Sequence, residues 1–121
     1  MNLKQLHESQ AQILRVDTEH VDAVGTSKKG QISVPYSTLV EIFGEPEHIN
    51  DGDVNYEWNI QFEYQEPGED DTDYAVVCIY DWRYNQGIDP NQIDTWNVGA
   101  KTMDHYWMLE DYIKSRMGQS K

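Results

Sequence analysis

The run from Val54 to Tyr64 constrains the fold more than any other part of the chain, because it alternates without a break. Apolar or aromatic side chains occupy every second position, and Asn, Glu or Gln lies between them. A period of two is typical of a β-strand with one buried face and one solvated face. The apolar set comprises Val54, Tyr56, Trp58, Ile60, Phe62 and Tyr64, and the polar set comprises Asn55, Glu57, Asn59, Gln61 and Glu63.

A second strand is predicted from Tyr74 to Trp82, where apolar residues occur at both parities as far as Ile79. This pattern is typical of a strand covered on both faces, as a central strand is. Pro67 and Gly68 lie in the acidic segment between the two runs. We therefore predict an antiparallel hairpin with a long acidic loop.

Helical periodicity predicts an N-terminal helix within residues 1–16, a short helix over 37–43 and a C-terminal helix within 102–118. For the short helix, Thr38 and Glu41 have capping-box spacing, and Gly44 is placed to end it.

Shorter patterns complete the predicted fold. Residues 21–24 and 31–34 are predicted to form a hairpin around a turn at 25–30, and residues 93–98 a last strand. The 121 residues are expected to form one globular domain. The predicted class is α+β: a single antiparallel sheet of three to five strands, with an aromatic face covered by two or three helices.

The net charge of −13 is concentrated in the middle of the chain. Thirteen of the 22 acidic residues lie between Gly30 and Trp82, and no lysine or arginine does. Such a field repels nucleic acid and anionic membranes and attracts basic protein surfaces. The alternative interpretation is that the charge only keeps the protein soluble.

If the charge serves binding, the partner-binding residues are predicted on the exposed strand face and in the acidic loop. That set is Glu57, Glu63, Glu66, Glu69, Asp70, Asp71 and Asp73. A secondary set comprises Glu45, Glu47, Asp51, Asp53 and Tyr84, the last because tyrosine is a favoured interface residue.

Motifs for catalysis or metal binding are absent from the sequence. The segment Asp51-Gly52-Asp53 opens like a calcium loop, but Tyr56 and Phe62 occupy the positions where an EF-hand needs glycine and glutamate. The four histidines have no zinc-site spacing. No metal or other cofactor is predicted, and the chain is not expected to be an enzyme. Cys78, the one cysteine, is predicted to be a small buried hydrophobe, since a reactive thiol needs exposure and a nearby cation.

The sequence from Gly25 to Lys101, about two thirds of the chain, resembles a group of small bacteriophage-encoded proteins. The resemblance lies in the segment ISVPYSTLVEIFGEP (Ile32–Pro46), then Glu57-Trp58, Ile79-Tyr-Asp-Trp82 and Trp96-Asn-Val-Gly99. That group has the pattern I-x-Y-x-x-L-V-x-x-F-G-E-P, then E-W, I-Y-D-W/Y and W-x-x-G in the same order. The resemblance implies a phage source and a shared fold, and it carries no activity and no site residue.

Two classes of function follow as hypotheses, and an enzyme with an unrecognised site is a third. The first is a non-enzymatic phage accessory protein that binds and inhibits a basic host protein in the cytoplasm, such as a restriction or CRISPR defence factor, in one version by mimicking nucleic acid. The second is a small-molecule or nucleotide-binding domain that acts as a ligand sponge, since aromatic-rich sheets can stack bases. Neither involves direct contact with nucleic acid or membrane, and the oligomeric state is left open.

Overall fold

Six β-strands and two α-helices make up the computed structural model, which describes residues 11–48, 54–81 and 89–119. In chain order these elements, with one short 3₁₀ helix, are β1 (Gln12–Asp17), β2 (Ser27–Ser33), α1 (Tyr36–Phe43), β3 (Glu47–His48), β4 (Tyr56–Gln65), β5 (Asp73–Tyr80), the 3₁₀ helix (Pro90–Gln92), β6 (Thr95–Ala100) and α2 (Met103–Gln119).

The strands form one antiparallel sheet in the order β1-β4-β5-β6-β2, and the two-residue β3 pairs with the start of β4. The predicted hairpin is confirmed: β4 and β5 pair from Glu57–Tyr80 to Tyr64–Asp73. β5 lies at the centre of the order, as expected from its apolar run. The local alternation of β4 and the turn residues after it specify this pairing without help from distant segments.

One side of the sheet, here called the helix face, holds the core. Trp58, Ile60 and Phe62 of β4 point to it and are at most 3% exposed. Tyr36 of α1 packs with its ring centroid 5.9 Å from that of Trp58, and Tyr112 of α2 packs 5.3 Å from Phe62. The even-numbered residues of β4 therefore face the helices, as the alternation predicts.

The other side of the sheet, here called the open face, has no helix packed on it within the described ranges. It presents the odd-numbered residues of β4 and the even-numbered residues of β5. In β4 these are Glu57, Asn59, Gln61 and Glu63, and in β5 they are Tyr74, Val76, Cys78 and Tyr80.

The connection between β1 and β2 crosses the width of the sheet. β1 and β2 follow each other in sequence but lie at opposite edges of the sheet, so residues 18–26, the crossing loop, must span it. The Thr26 hydroxyl lies 3.8 Å from Sγ of Cys78, so the loop reaches β2 on the open side. Gly99 permits this approach, because a Cβ at that position would lie 2.7 Å from the Cys78 sulfur.

The predicted strand number of three to five is wrong, because the sheet has six strands. Residues 12–16 of the predicted N-terminal helix belong instead to β1; residues 1–10 of that prediction lie outside the described residues. Pairing with β4 and burial of Ile13 and Val16 against the core outweigh the helical spacing there. β3 is too short to leave a sequence pattern.

The predicted hairpin of residues 21–24 and 31–34 is also wrong. Residues 21–24 belong to the crossing loop, and β2 includes most of the predicted turn. Gly30 is a strand residue for a packing reason: a Cβ there would lie 2.8 Å from the ring of Tyr106. The Tyr106 hydroxyl donates to the carbonyl of Gln31 at 2.9 Å, so α2 is tied to β2 at this point.

The two described helices match their predicted positions within a few residues. Gly44 ends α1 with a φ of 87°, and its N–H donates to the carbonyl of Val40. The predicted capping box is wrong, because Pro35 is the N-cap residue and no side chain caps the helix. The Pro35 carbonyl accepts the first hydrogen bonds of the helix, from the N–H groups of Thr38 and Leu39 at 3.1 and 3.2 Å.

Candidate functional site

The acidic segment between β4 and β5, here called the tip (residues 66–72), is an ordered turn. The Glu69 N–H donates to the carbonyl of Glu66 at 3.1 Å, and Gly68 has the positive φ of 83° that this turn requires. Gln65 Nε2 donates to the carbonyl of Glu69 at 2.8 Å. The backbone of the tip therefore has a defined turn conformation despite the mutual repulsion of its carboxylates.

Carboxylates at the tip and its two strand ends project mostly into solvent. Glu69, Asp70, Asp71 and Asp73 are exposed and Glu66 is half-buried. The Glu63 carboxylate, on the open face just below, accepts a hydrogen bond from the Thr72 hydroxyl at 3.0 Å. Burial raises the pKa of Tyr64, and the charges of Asp73 and Glu66 raise it further. The tip thus carries a negative field that reaches its own strand.

The structure divides the predicted binding residues into two groups. Glu63, Glu66, Glu69, Asp70, Asp71 and Asp73 lie together at the tip. Glu57 lies at the opposite end of β4, directly across from Glu47 of β3. Glu57 and Glu63 are six positions apart along the strand, which corresponds to about 20 Å. Asp51, Asp53 and Tyr84 lie outside the described residues.

Another set of acidic residues, here called the second acidic group, lines a hollow of about 420 Å³ between the crossing loop and the end of α1. It comprises Glu19, Glu45 and Glu47, and His20 lines the same hollow; the sequence did not indicate Glu19 or His20. The Tyr36 hydroxyl donates to Glu45 at 3.1 Å. Burial is the larger cause that raises the pKa of Tyr36, and the Glu45 carboxylate raises it further. These residues come from separate segments, so only the fold brings them together.

A smaller hollow of about 220 Å³ lies on the open face beside Cys78, Tyr80 and Glu57. Cys78 is 6% exposed, and burial raises the pKa of its thiol. The thiol is therefore protonated at neutral pH and a poor nucleophile, in agreement with its prediction as a buried hydrophobe. Burial also raises the pKa of Tyr80.

Among the cations with a described ion pair, Arg15 of β1 lies nearest the tip. Its guanidinium donates to Asp17 through Nε and Nη2, at 3.0 and 2.9 Å. That hydrogen bond and the charge of Asp17 raise the pKa of Arg15, and Glu63 and Tyr74 contribute more weakly. Both hydrogen bonds described for the Arg15 guanidinium therefore go to Asp17 rather than to a tip carboxylate.

Tyr74, on the open face, is a candidate functional residue that sequence reasoning missed. It is the second residue of β5, opposite Glu63, and is 55% exposed, whereas the apolar run predicted a strand covered on both faces. The signal was its position next to the acidic loop, at the end of the run rather than inside it.

No three His, Cys, Asp or Glu side chains converge to hold a metal ion within residues 11–48, 54–81 and 89–119. In the same ranges, no helix combines the length and the apolar character needed to span a membrane.

Comparisons with protein-family models, with curated proteins and with solved structures each found no match.

Proposed function

We propose that this chain is a non-enzymatic, phage-encoded accessory protein that acts in the host cytoplasm. Its acidic tip binds a basic surface of a host protein and inhibits it. The class of partner that fits is a nucleic-acid-handling factor, including restriction and CRISPR defence components, because such proteins carry the basic surfaces that carboxylates can occupy.

The observation that supports this proposal is the ordered, exposed tip. Five carboxylates between Glu66 and Asp73 repel one another, and the backbone that carries them is held by a proline–glycine turn and by a hydrogen bond from the Gln65 side chain to the carbonyl of Glu69. Solubility alone needs charge but no ordered backbone beneath it. An ordered backbone lowers the entropy lost on binding, so it favours recognition.

Mimicry of a nucleic-acid backbone receives less support. The acids of β4 fall into two groups at opposite ends of the strand, with Asn59 and Gln61 between them. A mimic needs a continuous row of charges, so a compact acidic patch that meets one cluster of lysines and arginines fits better.

The test begins with affinity capture from host lysate and identification of the captured protein by mass spectrometry. Association and dissociation rates are then measured over a salt series for the wild type and for a tip variant, Glu69→Gln/Asp70→Asn/Asp71→Asn. The tip variant should associate about tenfold more slowly at low ionic strength, with a shallower salt dependence, because long-range attraction acts on the association rate.

A matched control removes the same charge elsewhere: Glu19→Gln/Glu45→Gln/Glu47→Gln, at the second acidic group. We expect this variant to associate at nearly the wild-type rate. Equal rates and equal salt slopes for the wild type and the tip variant would contradict the proposal, as would a larger effect of the control. Inhibition of the partner's activity, followed in parallel, must weaken together with binding.

A further inference from the structure

Beside the tip, the open face carries an exposed aromatic residue. Tyr74 is 55% exposed, and Leu14 on the neighbouring edge of the sheet is 46% exposed. The other large hydrophobic residues that the structure shows exposed lie in the crossing loop or on α2: Val24, Met103 and Met117. Of all these, Tyr74 follows the last tip residue, Thr72, by two positions and pairs directly with Glu63.

The polar neighbours of Tyr74 are fixed in place. Glu63, its cross-strand partner, is held by the Thr72 hydroxyl, and Arg15, which pairs with Glu63 from β1, is held by Asp17. Val76, two residues further along the same face, is half-buried. Tyr74 and Val76 thus form a small apolar area bordered on one side by the tip carboxylates.

This arrangement has the anatomy of a protein interface, in which an aromatic anchor is surrounded by polar or charged residues. We infer that Tyr74 is the anchor of the surface that binds the basic partner. The partner presents an arginine together with an apolar side chain: the guanidinium lies over the Tyr74 ring or against Glu63, and the apolar group covers Tyr74 and Val76. This inference rests on the proposed function and adds the chemistry of the partner's contact residues.

The two parts of the surface act on different rate constants. The tip carboxylates attract the partner from a distance and so set the association rate and its salt dependence. Tyr74 acts only in contact, so its removal increases the dissociation rate and leaves the salt dependence unchanged.

The test uses two synthetic probes and does not need the natural partner. One short peptide alternates arginine and leucine, and the matched peptide alternates arginine and serine, so both have the same charge. Binding kinetics are measured for the wild type, Tyr74→Ala, Tyr74→Phe and the tip variant. Val24→Ala, which removes a 77% exposed side chain from the crossing loop, is the control. Tyr74→Thr is included because threonine keeps strand propensity if alanine disturbs β5.

The wild type should release the arginine–leucine peptide about tenfold more slowly than the arginine–serine peptide, as expected for one anchoring aromatic contact. Tyr74→Ala and Tyr74→Thr should lose this preference while keeping the wild-type salt slope, and Tyr74→Phe and Val24→Ala should keep it. The inference is overturned if the wild type does not discriminate between the peptides, or if Tyr74→Thr discriminates as well as the wild type. An unchanged association rate in the tip variant would instead overturn the proposed function, so the two failures are distinguishable.

Discussion

Trp58 joins α1 to the sheet through both packing and a hydrogen bond. It is 3% exposed, its ring centroid lies 5.1 Å from that of Trp96, and its Nε1–H donates to the carbonyl of Gly44 at 2.8 Å. We expect Trp58→Ala to lower the free energy of unfolding by about 3–5 kcal/mol. Trp58→Phe should cost less, because it keeps one aromatic ring in the core although it loses the donor and the second ring of the indole. Urea denaturation measures both; a loss below about 1 kcal/mol for Trp58→Ala would show that Trp58 is not a core residue.

Gly99 and Cys78 form a close cross-strand pair on the open face. Because a Cβ on residue 99 would lie 2.7 Å from the sulfur, Gly99→Ala should destabilise the protein by about 1–3 kcal/mol through overcrowding. Removing the sulfur should relieve the crowding. We therefore expect the double variant Gly99→Ala/Cys78→Ala to be more stable than the sum of the two single effects predicts. Strictly additive unfolding free energies would mean that the sheet accommodates the methyl group by other means.

At the scale of elements, Asp81 holds the β4–β5 pair at the end opposite the tip. It is 1% exposed and accepts hydrogen bonds from the backbone N–H groups of Asn55 and Tyr56, at 2.8 and 3.0 Å, and from the Asn55 side chain at 3.0 Å. Asp81→Ala leaves these donors without their acceptor, and we expect it to cost about 1–3 kcal/mol. Asp81→Asn, which keeps one acceptor oxygen, should cost less.

Hydrogen exchange provides the local readout for Asp81. The amides of Asn55 and Tyr56 should exchange faster in Asp81→Ala than in the wild type, while amides near the tip keep their rates. Unchanged exchange at both amides, together with unchanged stability, would argue against this role of Asp81 as a clamp.

The elements that sequence predicts well are those whose pattern is local. Alternation from Val54 to Tyr64 and the Pro67–Gly68 turn predict β4, β5 and their pairing, and the helical spacing and Gly44 predict α1. β1 and β3 could not be predicted in this way, because each becomes a strand only by pairing with β4. Gly30 illustrates the same limit. Glycine is needed at this position because the ring of Tyr106, from the other end of the chain, lies against it.

The candidate site shows the same division at the scale of the whole molecule. The tip acids are contiguous in sequence, so their clustering could be predicted. The second acidic group draws Glu19 and His20 from the crossing loop to Glu45 and Glu47, and no pattern in the sequence connects these segments. The exposure of Tyr74 depends on which strands lie beside the start of β5. Only the sheet order determines those strands.

Alkaline pH should destabilise the molecule. The pKa values of Cys78, Tyr36, Tyr64 and Tyr80 are all raised, mainly by burial, from ordinary values of 9.0 for a thiol and 10.0 for a tyrosine. Above these ordinary values the unfolded chain loses the protons first. The stabilisation is therefore complete below about pH 9 and is lost as pH rises through the folded-state values.

Thermal or urea denaturation, repeated from neutral pH up through the folded-state pKa values of these groups, measures the loss of stability. Cys78→Ala should move the onset of the decline towards the tyrosine range, because it removes the group with the lowest ordinary pKa. A stability profile that stays flat through both ordinary values would contradict the prediction.

The placement of β1 and β2 at opposite edges has a consequence for the order of folding. β1 cannot pair until β4 has been synthesised, and β2 must wait for β6, so both strands leave the ribosome without partners. We expect the β4–β5 hairpin to form first and the edges to close last, which pulsed hydrogen exchange during refolding can establish. During that interval the two unpaired strands could associate with other nascent chains. β1 has a register shift between Ile13 and Arg15, β2 has one between Lys28 and Gly30, and β2 also carries two lysines. Irregular backbone and positive charge both hinder edge-to-edge association, so the strands that wait longest for their partners are also those least suited to aggregate.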